Sequence, residues 1–147
     1  MSKKRQFNNI LVTGGAGFIG SAFIRYLLQK ENFSGNIYNL DLLTYAGNLQ
    51  NTATISEDPR YFFIRGDICD YELVSTLCQQ NDIDAIFHFA AESHVDNSIK
   101  TPKSFIETNV LGTFHLLEAV RAMPHIHFHH ISTDEVYGSP SYDGTFT

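Results

Sequence analysis

Apolar positions follow two alternating rhythms along this chain. Short runs, apolar at nearly every position, fall at 9–12, 36–41, 61–65, 85–90 and 127–132. Such runs suit strands buried on both faces of a sheet. Between them lie stretches with apolar residues three and four apart. Over 16–30 these are Phe18, Ile19, Ala22, Phe23, Tyr26 and Leu27, the stripe of a helix that packs on one side. The stretch 71–80 follows Asp70, whose side chain suits an N-cap. The longest helix is expected over 103–122, opened by Pro102 and followed by Pro124. No repeat or linker-like composition interrupts the alternation.

Strands separated by helices of this length imply βαβ units and a parallel sheet. Right-handed crossovers, with a glycine-rich loop after the first strand, favour the order 3-2-1-4-5. The expected fold class is therefore α/β, a doubly wound, Rossmann-like parallel sheet.

Composition narrows the partners. The chain has 147 residues, 16 acidic against 10 basic, for a net charge of −6, and 43% of it is hydrophobic. That suits one ordinary domain and excludes disorder. No apolar stretch approaches the ~20 residues that span a bilayer. The basic start, Lys3-Lys4-Arg5, reads as a solvated tail and leads into no signal-type apolar segment. A cytoplasmic location is expected, with Cys69 and Cys78 as reduced thiols. The acidic balance argues against nucleic acid as a partner.

Four of the ten glycines, Gly14, Gly15, Gly17 and Gly20, sit within seven residues, between the first strand and the first helix. Gly14 can take a tight turn with positive φ, Gly17 lets a pyrophosphate approach the backbone, and Gly20 lets the helix pack closely. The helix N-terminus then offers N–H groups and partial positive charge to the phosphates. Asp41 stands at the end of the second strand, where an acid would accept ribose hydroxyls and repel a 2′-phosphate. NAD is the cofactor this pattern favours over NADP.

The block Thr13-Gly14-Gly15-Ala16-Gly17-Phe18-Ile19-Gly20 resembles the extended short-chain dehydrogenase/reductase family. Further blocks resemble its dTDP-glucose 4,6-dehydratases: Asp41-Leu42-Leu43-Thr44-Tyr45-Ala46-Gly47-Asn48-Leu49, Gly66-Asp67-Ile68-Cys69-Asp70, and His88-Phe89-Ala90-Ala91-Glu92-Ser93-His94-Val95-Asp96. Phe105-Ile106-Glu107-Thr108-Asn109-Val110-Leu111-Gly112-Thr113 and the most specific stretch, Ser132-Thr133-Asp134-Glu135-Val136-Tyr137-Gly138, complete the set. The resemblance implies that Phe18 and Ile19 lie along the pyrophosphate. Asp41, Leu42, Leu43 and Thr44 would hold the ribose side, and Asp67 and Ile68 would meet the adenine. Phe89, Ala90, Ala91, Glu92 and Thr108 would border the cofactor, with Ser93 reaching both cofactor and sugar. Thr133 would hydrogen-bond the hexose. Leu42 and Asn97 depart from the Lys and Arg of many relatives, at positions the chemistry does not require.

The implied reaction removes water across C5 and C6 of dTDP-glucose to give the 4-keto-6-deoxy sugar. Oxidation at C4 makes the C5 proton acidic, so a base and an acid are needed at one site. The resemblance assigns Glu135 as base and Asp134 as acid. A 4-epimerase of the same family does not need this pair; an epimerase, a decarboxylase or a non-catalytic NAD-binding module are the alternatives.

The family's Tyr-x-x-x-Lys base is missing. Only Tyr26 has a lysine four residues on, Lys30, and this pair reads as a core tyrosine and a lysine at a helix C-terminus. The chain is therefore expected to be the NAD-binding N-terminal part of a longer enzyme, 1–147, without its substrate domain, its sheet incomplete at the C-terminus, and inactive alone. The spacing of His125, His127 and His129 is read as ordinary strand, so no metal is expected. The outer face of helix 103–122 is expected to pair two subunits as a homodimer.

Overall fold

The computed structural model describes residues 6–29 and 33–138, leaving out the side chains of Val95 and Glu135. The basic tail and Lys30 therefore lie outside the described residues. Five strands, β1 (Asn9–Thr13), β2 (Asn36–Asp41), β3 (Tyr61–Arg65), β4 (Ala85–His88) and β5 (His127–His130), form one sheet. Its order is β3-β2-β1-β4-β5 and every pairing is parallel. This is the doubly wound fold expected from the hydrophobic rhythm.

Successive strand residues point to opposite faces, and the sheet builds two cores accordingly. Leu11, Leu40 and Ile86 face α2 (Tyr71–Gln80) and α5 (Thr113–Ala122), packing with Val74, Cys78, Leu116 and Ala119. Ile10, Val12 and Ile37 face α1 (Phe18–Gln29), packing with Ile24 and Leu28. The N-cap of α2 forms as anticipated, Asp70 accepting from the Leu73 amide at 3.0 Å.

β4 and β5 each stop two residues short of the expected 85–90 and 127–132. The reason is the register. β1 leaves the ladder after Thr13, whose partner is His88, and the last partner of β5 is that same His88. α1 starts at Phe18 rather than 16, because Gly17 first closes a turn onto the Gly14 carbonyl at 3.1 Å. Tyr26 is not a core residue: it is 51% exposed, since the buried stripe of α1 runs through Gly20, Ser21, Ile24 and Leu28.

The helix expected at 103–122 is a composite. α4 (Pro102–Phe105) passes into a π-helical stretch, Ile106–Gly112, and then into α5. Ahead of it, α3 (Val95–Lys100) and a 3₁₀ turn at Leu49–Ile55, and after β5 a second 3₁₀ turn at Asp134–Tyr137, were not marked by hydrophobic rhythm. Among the described residues, no helix is long and apolar enough to cross a membrane.

Candidate active site

The C-terminal ends of the parallel strands share one edge of the sheet, where strand order reverses between β1 and β4. Crevices at such reversals are where open α/β sheets bind ligands. A cleft open to solvent lies there. Its floor is Gly14 and Gly17 of the glycine loop. One wall comes from the end of β2 and its loop: Leu40, Asp41, Leu42, Thr44, Ala46 and Gly47. Gly66, Asp67 and Ile68 follow β3, and the far wall is Phe89, Ala90, Ala91 and Glu92 after β4, with Thr108 from the π-helical stretch.

The glycine loop is shaped by contacts that exclude a side chain. Gly14 has φ +72°, and a Cβ there would lie 2.6 Å from the Ala90 nitrogen and 2.7 Å from its Cα. At Gly20 a Cβ would meet the Gly14 carbonyl oxygen at 2.4 Å and Gly15 Cα at 2.9 Å. Gly20 therefore lets α1 close on its own entry loop. Gly17 is different: a Cβ would approach only the Gly14 oxygen, at 3.2 Å. Its backbone borders open cleft at the N-terminus of α1, the positive end of the helix dipole.

Asp41 is 8% exposed and ties two loops together. One carboxylate oxygen accepts from the Ala16 amide at 2.8 Å, the other from the Leu43 amide at 2.8 Å. An ionised carboxylate has about four acceptor sites, so two such bonds leave capacity for hydroxyl donors in the cleft. Leu43 itself takes φ 58° as the chain turns around that carboxylate.

The far wall is braced from behind. His88, 1% exposed, bonds through Nδ1 to the Thr13 hydroxyl at 2.6 Å and through Nε2 to the Thr113 hydroxyl at 3.0 Å. The Thr13 hydroxyl accepts from the Ala90 amide at 3.4 Å. Burial, with His130 nearby as a lesser cause, pushes His88 down to about 4, so the ring is neutral and one nitrogen donates while the other accepts. Asn109 exchanges two hydrogen bonds with the Glu92 backbone, both 2.8 Å. At the mouth, the Tyr45 hydroxyl donates to Glu92 Oε2 at 3.1 Å.

Of the residues expected to hold a dinucleotide, the cleft gathers Gly14, Gly17, Asp41, Leu42, Thr44, Asp67, Ile68, Phe89, Ala90, Ala91, Glu92 and Thr108. Gly20 sits behind the loop, Leu43 beside Asp41, and Phe18 and Ile19 stand 88% and 60% exposed on the first turn of α1. Ser93 is exposed just past Glu92 and is not in the lining. Thr133 and Asp134 follow β5 at the same sheet edge but are not in the lining either; the Thr133 hydroxyl donates to Asp134 Oδ1 at 3.2 Å. The Glu135 side chain lies outside the described residues. Leu40, Ala46, Gly47 and Gly66 line the cleft without having been assigned a role; three of them sit inside motif blocks, and Gly47 lies so near Asp41 that a Cβ would meet its Oδ1 at 2.9 Å.

Comparison with known proteins agrees with this fold. Residues 11–146 match the family described as GDP-mannose 4,6 dehydratase. A dTDP-glucose 4,6-dehydratase from Neisseria gonorrhoeae is 53% identical over 139 residues, which cover 88% of this chain and 40% of the relative. A dTDP-glucose 4,6-dehydratase from Streptomyces venezuelae, solved with NAD bound, superposes with a TM-score of 0.85 at 46% identity, over 94% of this chain and 43% of that one. A UDP-glucose 4-epimerase from Stenotrophomonas maltophila, also solved with NAD, superposes with a TM-score of 0.81 at 30% identity, over 94% and 40%. The chain thus spans about 40% of the length of the curated relatives it matches.

Proposed function

The chain belongs to the GDP-mannose 4,6 dehydratase family, and we propose that it is the NAD-binding part of a lyase that converts dTDP-glucose to its 4-keto-6-deoxy product. The observation that carries this is the cleft at the β1/β4 reversal, lined by the open backbone of Gly17 and by Asp41. Higher identity to the dehydratases than to the epimerase, 46% against 30%, favours dehydration within the family.

The residues present fit NAD. The open backbone of Gly17 and the positive end of α1 receive the pyrophosphate. Asp41 accepts the ribose hydroxyls and, as an anion, disfavours a 2′-phosphate. Gly66, Asp67 and Ile68 flank the adenine, while Phe89, Ala90, Ala91 and Glu92 with Thr108 form the opposite wall. When bound, NAD supplies a reversible hydride acceptor. Glu135 takes the proton from C5 of the oxidised sugar while Asp134 protonates the departing C6 hydroxyl, and Thr133 and Ser93 hold the hexose. Residues 134 and 135 follow β5, the strand beside β4, whose following loop is the far wall of the cleft.

Two further parts belong to the proposal. The exposed apolar residues Ile106, Val110, Phe114 and Leu117 share one face of the helical run 102–122, and pairing of this face makes a homodimer. The reaction is placed in the cytoplasm, in keeping with the free thiols Cys69 and Cys78. The test is direct. The protein at its natural length, given NAD and dTDP-glucose, yields the 4-keto-6-deoxy sugar, and Glu135→Gln abolishes it. The 147-residue polypeptide alone binds NAD without turnover. A 4-epimer as the product refutes the dehydratase assignment.

A further inference from the structure

Glu92 is held twice, by unrelated parts of the fold. Its main chain is gripped by Asn109: the Glu92 N–H donates to Oδ1 and the Glu92 carbonyl accepts from Nδ2, both at 2.8 Å. This side chain supplies the two bonds a strand neighbour would, at a point where β4 has already ended. Asn109 belongs to the π-helical stretch, an element that recurs at functional sites, and its neighbour Thr108 lines the cleft. The Glu92 carboxylate accepts from the Tyr45 hydroxyl at 3.1 Å across 47 residues of sequence.

These contacts bridge the two walls. Tyr45 stands between Thr44 and Ala46, which line one side, and Ala91 and Glu92 line the other. We propose that Asn109, Glu92 and Tyr45 form a clasp across the mouth of the cleft that sets how long the dinucleotide stays bound. The inference rests on the NAD reading above. A reaction that takes a hydride and gives it back has no need to exchange its cofactor between turnovers, so slow release carries no penalty. Asn109 acts through Glu92 and is a positioning residue. A bond that must open for exit acts mainly on the rate of release.

The experiment follows release of bound NADH by its fluorescence, chased with excess NAD, in the protein at its natural length. Tyr45→Phe keeps the ring and removes only the hydroxyl. It speeds release about 5-fold, the size of one net hydrogen bond, with the association rate changed less than about 2-fold. Asn109→Ala speeds release at least as much. The double variant releases no faster than Asn109→Ala alone, because both act through Glu92. Glu92→Gln, which keeps an acceptor oxygen, lies between the unsubstituted protein and Tyr45→Phe, and it decides the matter if Asn109→Ala does not fold. Unchanged release in Tyr45→Phe overturns the clasp, as does a double variant whose effects multiply. Asn109→Ala that lowers thermal stability and leaves release unaltered overturns it too. If the unsubstituted protein binds no NADH, the dinucleotide reading itself falls and the clasp with it.

Discussion

Replacing Gly17 by alanine separates folding from ligand approach. The added Cβ would meet one atom, the Gly14 oxygen, at 3.2 Å, a contact relieved by a shift of a few tenths of an ångström. Gly17 does not have the positive φ of Gly14, so alanine adopts its conformation, and the smaller entropy of the unfolded chain returns about 0.4–1 kcal/mol. Net stability should therefore change by less than about 1 kcal/mol. Binding should suffer much more. A methyl group over the open backbone holds the pyrophosphate away, and a lost charge-assisted hydrogen bond costs about 1.5–3 kcal/mol, roughly 10- to 150-fold in Kd. Gly14→Ala is the opposite case. Its φ of +72° costs a residue with a Cβ about 1–2 kcal/mol. The clash is with the Ala90 backbone, 2.6 and 2.7 Å away, which cannot swing aside like a side chain and adds about 1–3 kcal/mol. Urea unfolding followed by circular dichroism reads stability, and calorimetric titration with NAD reads affinity. Gly17→Ala binding NAD as tightly as the unsubstituted protein refutes the phosphate role of this loop. Gly14→Ala unfolding at an unchanged urea concentration refutes the steric reasoning.

Three other outcomes follow from named contacts. The folded-state value of His88, about 4, lies below its ordinary 6.5, so the unfolded chain binds more protons between these values; stability is full above about pH 6.5 and falls toward pH 4 by about 3 kcal/mol. Urea unfolding from pH 4 to 7 should be flatter in His88→Asn, and an identical pH slope argues against the buried neutral ring. Asp70→Ala removes the cap on α2 and should cost about 1 kcal/mol, measured as a lower Tm; no change means the Leu73 amide finds water equally well. Burial is the main cause that pushes the thiols of Cys69 and Cys78 up to about 11 and about 12. Both should resist iodoacetamide at pH 7.5 until the protein is unfolded, and rapid labelling of native protein contradicts this.

Much of the site was legible because its chemistry is local in sequence. Gly14 and Gly20 betray themselves by spacing, since a turn and a tight helix entry each demand the absence of a side chain, and the proposed pyrophosphate approach would demand it at Gly17. Asp41 is found by its distance from them. Leu40, Gly66 and Gly47 escaped for the opposite reason: they line the cleft through where their strands end and how their loops curl, and an apolar residue or a glycine carries no chemical label. Tyr26 misled because helical spacing shows that a stripe exists without showing which residues at its margin are covered.

The amino-acid order alone determined the sheet. Five apolar runs separated by helical lengths of chain leave few chiral ways to wind, and the glycine loop after β1 selects among them. It also determined the cap at Asp70, a contact spanning three residues. Where β4 and β5 stop was decided only in three dimensions, by β1 leaving the ladder after Thr13. So was the neutrality of His88, which comes from burial between Thr13 and Thr113. The bridge from Asn109 through Glu92 to Tyr45 spans residues 17 and 47 positions apart. Such contacts depend on which elements the sheet brings side by side, and no local rhythm of the chain records that.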